Sequence, residues 1–351
     1  MGLTILRLPE RPDFLRDSLV AIIGYGNQGR AHALNLRDSG IEVVVGQRAG
    51  AGADRARGDG FEPRPVRDAA AEADLIVLTL PDEAAPEVYA SEIAPVLDAG
   101  HARSGAGARA GGMAPENERR AVPRTLGFVH GFNIRFGFIK PPAEMDVVMV
   151  APKGPGTLLR SLYVEGRGLP SLLAIHQDVS GVARKTALAW AAGIGSTRAG
   201  VVETTFACET ETDLFGEQVV LCGGISALTK AAFDTLVEAG YPPEFAYLEC
   251  VHELKQVVDL LYARGLSGMR AAISNTAEYG DLTRGPRLIN DQTRREMKRI
   301  LEEIRSGAFA EEWLAEHRSG GKKFKDLHDA DVSTAYERAG EFVRGLMPWL
   351  K

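Results

Sequence analysis

Cysteine is scarce: Cys208, Cys222 and Cys250 are the only three in 351 residues, and no two form a CxxC pair. That excludes a disulfide-built scaffold and a zinc ribbon, and it points to a reduced, cytoplasmic compartment. Long apolar runs are missing too; none approaches the roughly 20 residues that span a bilayer. The opening stretch "MGLTILRLPERPDFLRD" carries acids and prolines and has no secretory h-region. There is no excess of positive charge, since the formal net charge is −6, so a surface built for a nucleic-acid backbone is not implied. No internal repeat occurs. What is present is an ordinary globular composition, 45% hydrophobic and 25% charged, over a length that suggests two domains.

The first part alternates short apolar runs with helical patterns. "LVAIIG" (19–24), "IEVVVGQR" (41–48) and "LIVLTLP" (75–81) read as buried parallel strands, with "QGRAHALNLRDSG" as a helix between the first two. Further strands are expected at "LGFVHGF" (126–132), "DVVMVAPKGPG" (146–156) and "SLLAIHQD" (171–178). This alternation implies a Rossmann-type doubly wound α/β domain over 1–204 with a parallel sheet. From 205 to 351 nearly every segment reads as helix. One stretch, 103–125, fits neither pattern. It holds five arginines against two glutamates and few large apolar groups, so burial cannot offset its ordering entropy. It is expected to be an exposed insertion that rejoins just before the strand delivering His130. A cationic lid is the sharper alternative.

"GYGNQG" places Gly24, Gly26 and Gly29 in a GxGxxG pattern between a predicted strand and a predicted helix. Gly24 permits the tight turn, Gly26 lets backbone approach a pyrophosphate, and Gly29 lets helix pack on strand. The helix N-terminus then faces the phosphates. An acid at the end of the second strand would favour NAD. Here Gln47 and Arg48 stand there, and an arginine suits the 2′-phosphate of NADPH. Asp54 lies further along and would repel that phosphate, so NADH stays open as the cofactor.

Carboxylates give the second signal. In "ETETDLFGEQVVLCGG" (209–224), Asp213 and Glu217 lie four apart among Leu214, Phe215, Val219, Val220, Leu221 and Cys222, which reads as a buried helix. "YLECVHELKQVVDLL" repeats the arrangement with Glu249 and Glu253. Acids enter a core only with partners. Hard divalent cations would supply them, and Mg²⁺ is the common choice. Separate surface acids on amphipathic helices are the plainer alternative. Glu249-x-x-His252 lacks the second copy that a di-iron bundle needs, and Gln256 stands where an HExxH motif needs histidine. His130 and Lys153 each follow a strand, at the carboxyl edge where ligands bind in such sheets.

Together "GYGNQGRAHALNLRDSG", "HGFNI", "VAPKGPG", "ETTFACETETDLFGEQVVLCGG", "LVEAGY", "HELK", "TAEYGD" and "MPWLK" resemble the ketol-acid reductoisomerases of the short, class I form. The resemblance implies a knotted all-α second domain that completes itself in a homodimer or higher homo-oligomer with shared active sites. It implies two Mg²⁺ ions held by Asp213, Glu217, Glu249 and Glu253, with Asp213 bridging. It implies His130, Lys153 and Glu253 as catalytic groups and Ser274 as a substrate contact. Gly24, Tyr25, Gly26, Asn27, Gln28, Gly29, Arg48, Asp82 and Gly156 resemble the cofactor contacts. The implied reaction is alkyl migration in 2-acetolactate or 2-aceto-2-hydroxybutyrate, followed by reduction by NADPH. No nucleic-acid or membrane partner is implied. The sequence departs from the family at Asn27 (usually Ser), at Arg135 (usually His), and at Ala51 and Ala53, where serines usually meet the 2′-phosphate. A simple 3-hydroxy acid dehydrogenase and a non-catalytic nucleotide-binding homologue remain as alternative readings.

Overall fold

The computed structural model describes residues 5–6, 13–100 and 124–350. The chain divides into two compact units, Met1–Thr210 and Glu211–Lys351.

The first unit is built on an eight-stranded sheet. Its strands are β1 (Ile5–Leu6), β2 (Leu19–Ile23), β3 (Glu42–Gly46), β4 (Leu75–Leu78), β5 (Thr125–Phe128), β6 (Asp146–Pro152), β7 (Ser171–Gln177) and β8 (Val201–Thr204), in the order β1-β8-β7-β6-β5-β4-β2-β3. Alternate residues of one strand feed separate cores on the two faces. Val20 and Ile22 pack with Leu36, Val77, Val148 and Trp190. Ala21 and Ile23 pack with Ala69, Ile76, Ile93 and Met149. Both faces are thus covered, which is why "LVAII" shows no polar alternation. Trp190 reaches across its core to donate from Nε1 to His32 Nδ1 at 3.1 Å.

The sheet is mixed, where an all-parallel one was expected. β3, β2, β4, β5 and β6 run parallel, but β7 is antiparallel to β6, and β1 is antiparallel to β8. The physical reason is the connector after β6. Its helix, Gly156–Val164, leaves and returns at the same end of the two strands, where the Lys153 amide donates to the Pro170 carbonyl at 2.9 Å. A crossover to the opposite end of the strands, which parallel pairing needs, does not occur.

The expected insertion needs trimming at its end. Most of it lies outside the described residues, but Arg124 and Thr125 belong to the core. Thr125 is fully buried, opens β5 and donates its amide to the Asp74 carbonyl at 2.8 Å. The Arg124 guanidinium donates to the carbonyls of Ala73, Val96 and Ala70, and burial lowers its pKa. β5 then stops at Phe128, so the predicted strand 126–132 is half strand, half turn and short helix (Phe132–Arg135).

The second unit is helical throughout its regular structure. Phe233, Ala246, Tyr247, Ala339 and Val343 form a small core, with the Tyr336 ring set edge-on to Phe233 and Tyr247. Much of its apolar surface is uncovered. Leu221 is 67% exposed, Tyr262 90% and Trp349 75%, and Val220, Leu228, Phe245, Tyr279, Leu282 and Leu288 are exposed as well. The helix read from sequence as buried is therefore mostly open here: Leu214 is buried, but Val220, Leu221 and Cys222 are not. An amphipathic pattern reports a face meant for covering, without saying which chain covers it. Among the described residues one helical run, Phe206–Glu238, is long and apolar enough to cross a bilayer by length and composition alone, although Glu209, Glu211, Asp213, Glu217, Lys230, Asp234 and Glu238 interrupt its apolar residues.

Candidate active site

The chain passes from β2 to β3 on one side, then to β4 on the other, so the sheet has its topological switch point between β2 and β4. Ligands bind at such points, beyond the strand ends. The glycine loop lies there. Gly24 takes φ +96°, a region L side chains rarely adopt, and a Cβ on Gly29 would sit 2.1 Å from the Gly24 carbonyl oxygen. Three neighbours hold the loop. Thr79 Oγ1, just past β4, donates to the Gly24 carbonyl at 2.7 Å. Asn27 Oδ1 accepts from the Thr157 amide at 3.1 Å, and Gln28 Nε2 donates to the Gly154 carbonyl at 2.9 Å. Gly156 sits tightly against the Asn27 backbone, and a Cβ on Gly26 would meet nothing within 4 Å. Asn27 and Gln28 thus tie the loop to the turn after β6.

Tyr25 turns its ring inward. It is buried, edge-on to Phe61, and its hydroxyl donates to Asp59 Oδ2 at 3.0 Å. Burial first, and then the Asp59 hydrogen bond and charge, raise the Tyr25 pKa. Only its peptide faces the loop, with its N–H donating to Gln47 Oε1 at 2.8 Å. Arg48, two residues past β3, is exposed. Ala51 is exposed at the start of helix Ala51–Gly58, but Ala53 is buried in it, so a serine there would face the core. Asp54 points to Arg57, at 2.9 Å. The Asp82 carbonyl, after β4, accepts from Asn133 Nδ2 at 3.1 Å.

A second group forms where β5, β6 and the helix Phe206–Gly216 converge. Its centre is Glu209, a carboxylate with no exposed side-chain surface. Lys153 Nζ donates to its Oε1 at 2.6 Å, the Gly131 amide to its Oε2 at 3.0 Å, and His130 Nδ1 lies 3.1 Å from Oε2. His130 stacks on Phe132. Burial pushes the Glu209 carboxyl up, but hydrogen bonds and charge from His130 and Lys153 outweigh it and bring it down to about 2. Glu209 was not singled out from sequence. The signal was present: 209, 213 and 217 form an acid ladder with four-residue steps on successive helical turns, of which the reading took only the last two.

The four acids predicted as metal ligands lie in the second unit. Asp213 is half-buried; Glu217, Glu249 and Glu253 are exposed. The helix is widened at both pairs: Glu217–Leu221 and Leu248–His252 are π-helical. Such bulges are frequent at functional sites. Burial within one chain is therefore not what these acids share. Glu249 and Glu253 have no cationic partner among the described residues. Ser274 caps helix Asn275–Leu288, its Oγ accepting from the Ala277 amide at 3.2 Å. His252 is half-buried.

Comparison with known proteins bears on both units. Residues 14–107 and 118–200 match the family described as acetohydroxy acid isomeroreductase, NADPH-binding domain, and residues 206–349 match ketol-acid reductoisomerase, C-terminal domain. Among solved structures, a NADH-preferring ketol-acid reductoisomerase from an uncultured archean is 41% identical. The match covers 98% of this chain and 99% of that one, with a TM-score of 0.89. A semialdehyde dehydrogenase NAD-binding protein from Cupriavidus necator is 19% identical over 82% of this chain and 99% of that one. Its TM-score of 0.59 shows a shared fold alone. The chain therefore belongs to the ketol-acid reductoisomerase family and is an oxidoreductase with isomerase activity in branched-chain amino-acid biosynthesis.

Proposed function

We propose that the protein converts 2-acetolactate or 2-aceto-2-hydroxybutyrate to the 2,3-dihydroxy-3-methyl acid, using two Mg²⁺ ions and NADPH. The observation that carries this reading is the acid ladder on one helix run. Glu209 is consumed by Lys153 and His130, while Glu217 and the second pair, Glu249 and Glu253, are exposed. Carboxylate oxygens are the donors that hard divalent cations take, so Asp213, Glu217, Glu249 and Glu253 fit the metal. Bound Mg²⁺ would polarise the substrate oxygens and stabilise negative charge as the alkyl group moves.

The chain's own groups take the other roles. Lys153 and His130, fixed by Glu209, present N–H donors at the carboxyl edge of the sheet. Glu253 accepts the proton that leaves the substrate hydroxyl before migration. Ser274 Oγ accepts from its own helix, which leaves its O–H free to donate to the substrate carboxylate. The glycine loop cradles the pyrophosphate, and Arg48 meets the 2′-phosphate. The 41%-identical relative is described as NADH-preferring, so NADH is the second cofactor to test. The open apolar face of the helical unit supports a homodimer, in which a second copy completes a knotted domain and a shared active site. A reduced cytoplasm suits its three free cysteines.

The test is cofactor oxidation with 2-acetolactate, with and without Mg²⁺, repeated with NADH. The proposal expects turnover only with Mg²⁺. Turnover of simple 3-hydroxy acids without added metal would instead support a plain dehydrogenase.

A further inference from the structure

We infer that Arg55 is a second guanidinium for the cofactor 2′-phosphate, acting with Arg48 across the gap between the glycine loop and the end of β3; this rests on the dinucleotide site proposed above. The Tyr25 main chain is held on both of its flanking peptide groups. Its N–H donates to Gln47 Oε1 at 2.8 Å, and its carbonyl accepts from Arg55 Nη2 at 3.4 Å. Arg55 therefore stands at the ribose edge, opposite the residue that adjoins Arg48.

Helix geometry agrees. Arg55 lies four residues after Ala51, on the same face of helix Ala51–Gly58, and both are exposed. Ala53 is buried on the other side. The face that carries no hydroxyl at position 51 thus carries a cation one turn later.

Charge at this edge is uneven. Asp54 is matched by Arg57 at 2.9 Å, and Asp59 by Arg30 through two bonds of 2.6 and 2.8 Å. Neither acid is left to repel a phosphate. Arg48 and Arg55 pair with no carboxylate among the described residues. The one bond Arg55 makes is long and occupies one of five N–H donors, so the guanidinium can serve an incoming anion. Two guanidinium groups match a phosphate of charge near −2.

The experiment titrates the full chain with adenosine 2′,5′-bisphosphate and with 5′-AMP, by calorimetry, for wild type, Arg55→Ala, Arg55→Lys and Arg48→Ala. The two probes differ only in the 2′-phosphate, and neither needs metal or turnover. Arg55→Ala is expected to weaken the bisphosphate about tenfold or more and 5′-AMP less than about twofold. Arg55→Lys should recover part of that loss, and added salt should shrink it. An equal loss for both probes would mean that Arg55 stacks on the adenine or merely holds the loop, and would overturn the inference. So would an unchanged bisphosphate affinity. Wild-type protein that binds neither probe would overturn the dinucleotide site itself, whereas tight binding indifferent to Arg55 would overturn this inference alone.

Discussion

Glu209 and Glu253 are both acids on apolar helices, yet they live in opposite surroundings. Glu209, in the first unit, has no exposed side-chain surface, three donors around it and a carboxyl held at about 2. Glu253, in the second, is exposed with no cation beside it among the described residues. Apolar side chains show the same contrast. The first unit closes two cores over its sheet, while the second leaves Leu221, Tyr262 and Trp349 mostly uncovered. The first unit covers its own apolar groups and surrounds its buried acid with its own donors. The second leaves acids and apolar side chains exposed, the groups that the proposed function gives to cations and to a second copy of the chain.

The contrast can be broken most severely at the acids. Asp213→Asn should lower 2-acetolactate turnover by roughly 10³-fold or more, because a metal worth several kcal/mol to the transition state loses a ligand. Steady-state kinetics across a Mg²⁺ titration checks this, and near-normal turnover at ordinary Mg²⁺ would sink the two-metal reading. Glu209→Gln should act more mildly, by about 10–100-fold, since it misplaces Lys153 and His130 without removing them. Unlike Asp213→Asn it should also destabilise the fold, by about 3 kcal/mol or more in urea unfolding, because a buried ion pair loses its anion.

On the apolar side, Leu221→Asp with Tyr262→Asp should split the oligomer, read as a fall in sedimentation coefficient with parallel loss of activity. Wild-type protein that sediments as a monomer would remove the reason given for the open face.

Acid should separate the units further. Glu209 has its pKa depressed from 4.5 to about 2, so its stabilisation is complete above pH 4.5 and is lost as the pH falls toward 2. The full amount is about 3 kcal/mol. Burial lowers the His32 pKa from 6.5 to about 3. Between those values the unfolded chain binds a proton that the folded one does not, so stability falls with pH there too, by about 1.4 kcal/mol per unit. Urea melts at pH 7, 5.5 and 4 should show the slope, and His32→Gln should flatten it above pH 4.5. The smallest effect is expected at Ala51→Ser, which adds one neutral hydrogen bond to the ribose edge, about 1 kcal/mol in favour of NADPH. Ala53→Ser should leave the cofactor ratio unchanged, because that side chain faces the core.

Much of this was legible in the sequence, and what was missed has physical causes. A buried strand, a glycine loop and a helix in succession identify the nucleotide edge without coordinates. The direction of β7 is not legible, since an 18-residue connector (153–170) accommodates either pairing. Glu209 was missed because burial of one acid in a ladder of three depends on what β5 and β6 bring beside it. The sequence does not distinguish Ala51 from Ala53, although one is exposed and the other sealed. Arg124 and Thr125 look like the tail of a polar run and are instead the start of a core strand. The apolar faces of the second unit read as buried because hydrophobic spacing records an apolar stripe, not whether the same chain covers it.

On the proposed function, Asp213, Glu217, Glu249 and Glu253 serve cations, and the reaction stops without them. The direct measurement is the rate of NADPH oxidation on 2-acetolactate in protein stripped with EDTA, then titrated with Mg²⁺. The account predicts no turnover in the stripped protein and recovery on adding Mg²⁺ to wild type, with Asp213→Asn failing to recover. Undiminished turnover after stripping, or full recovery by Asp213→Asn, would contradict it.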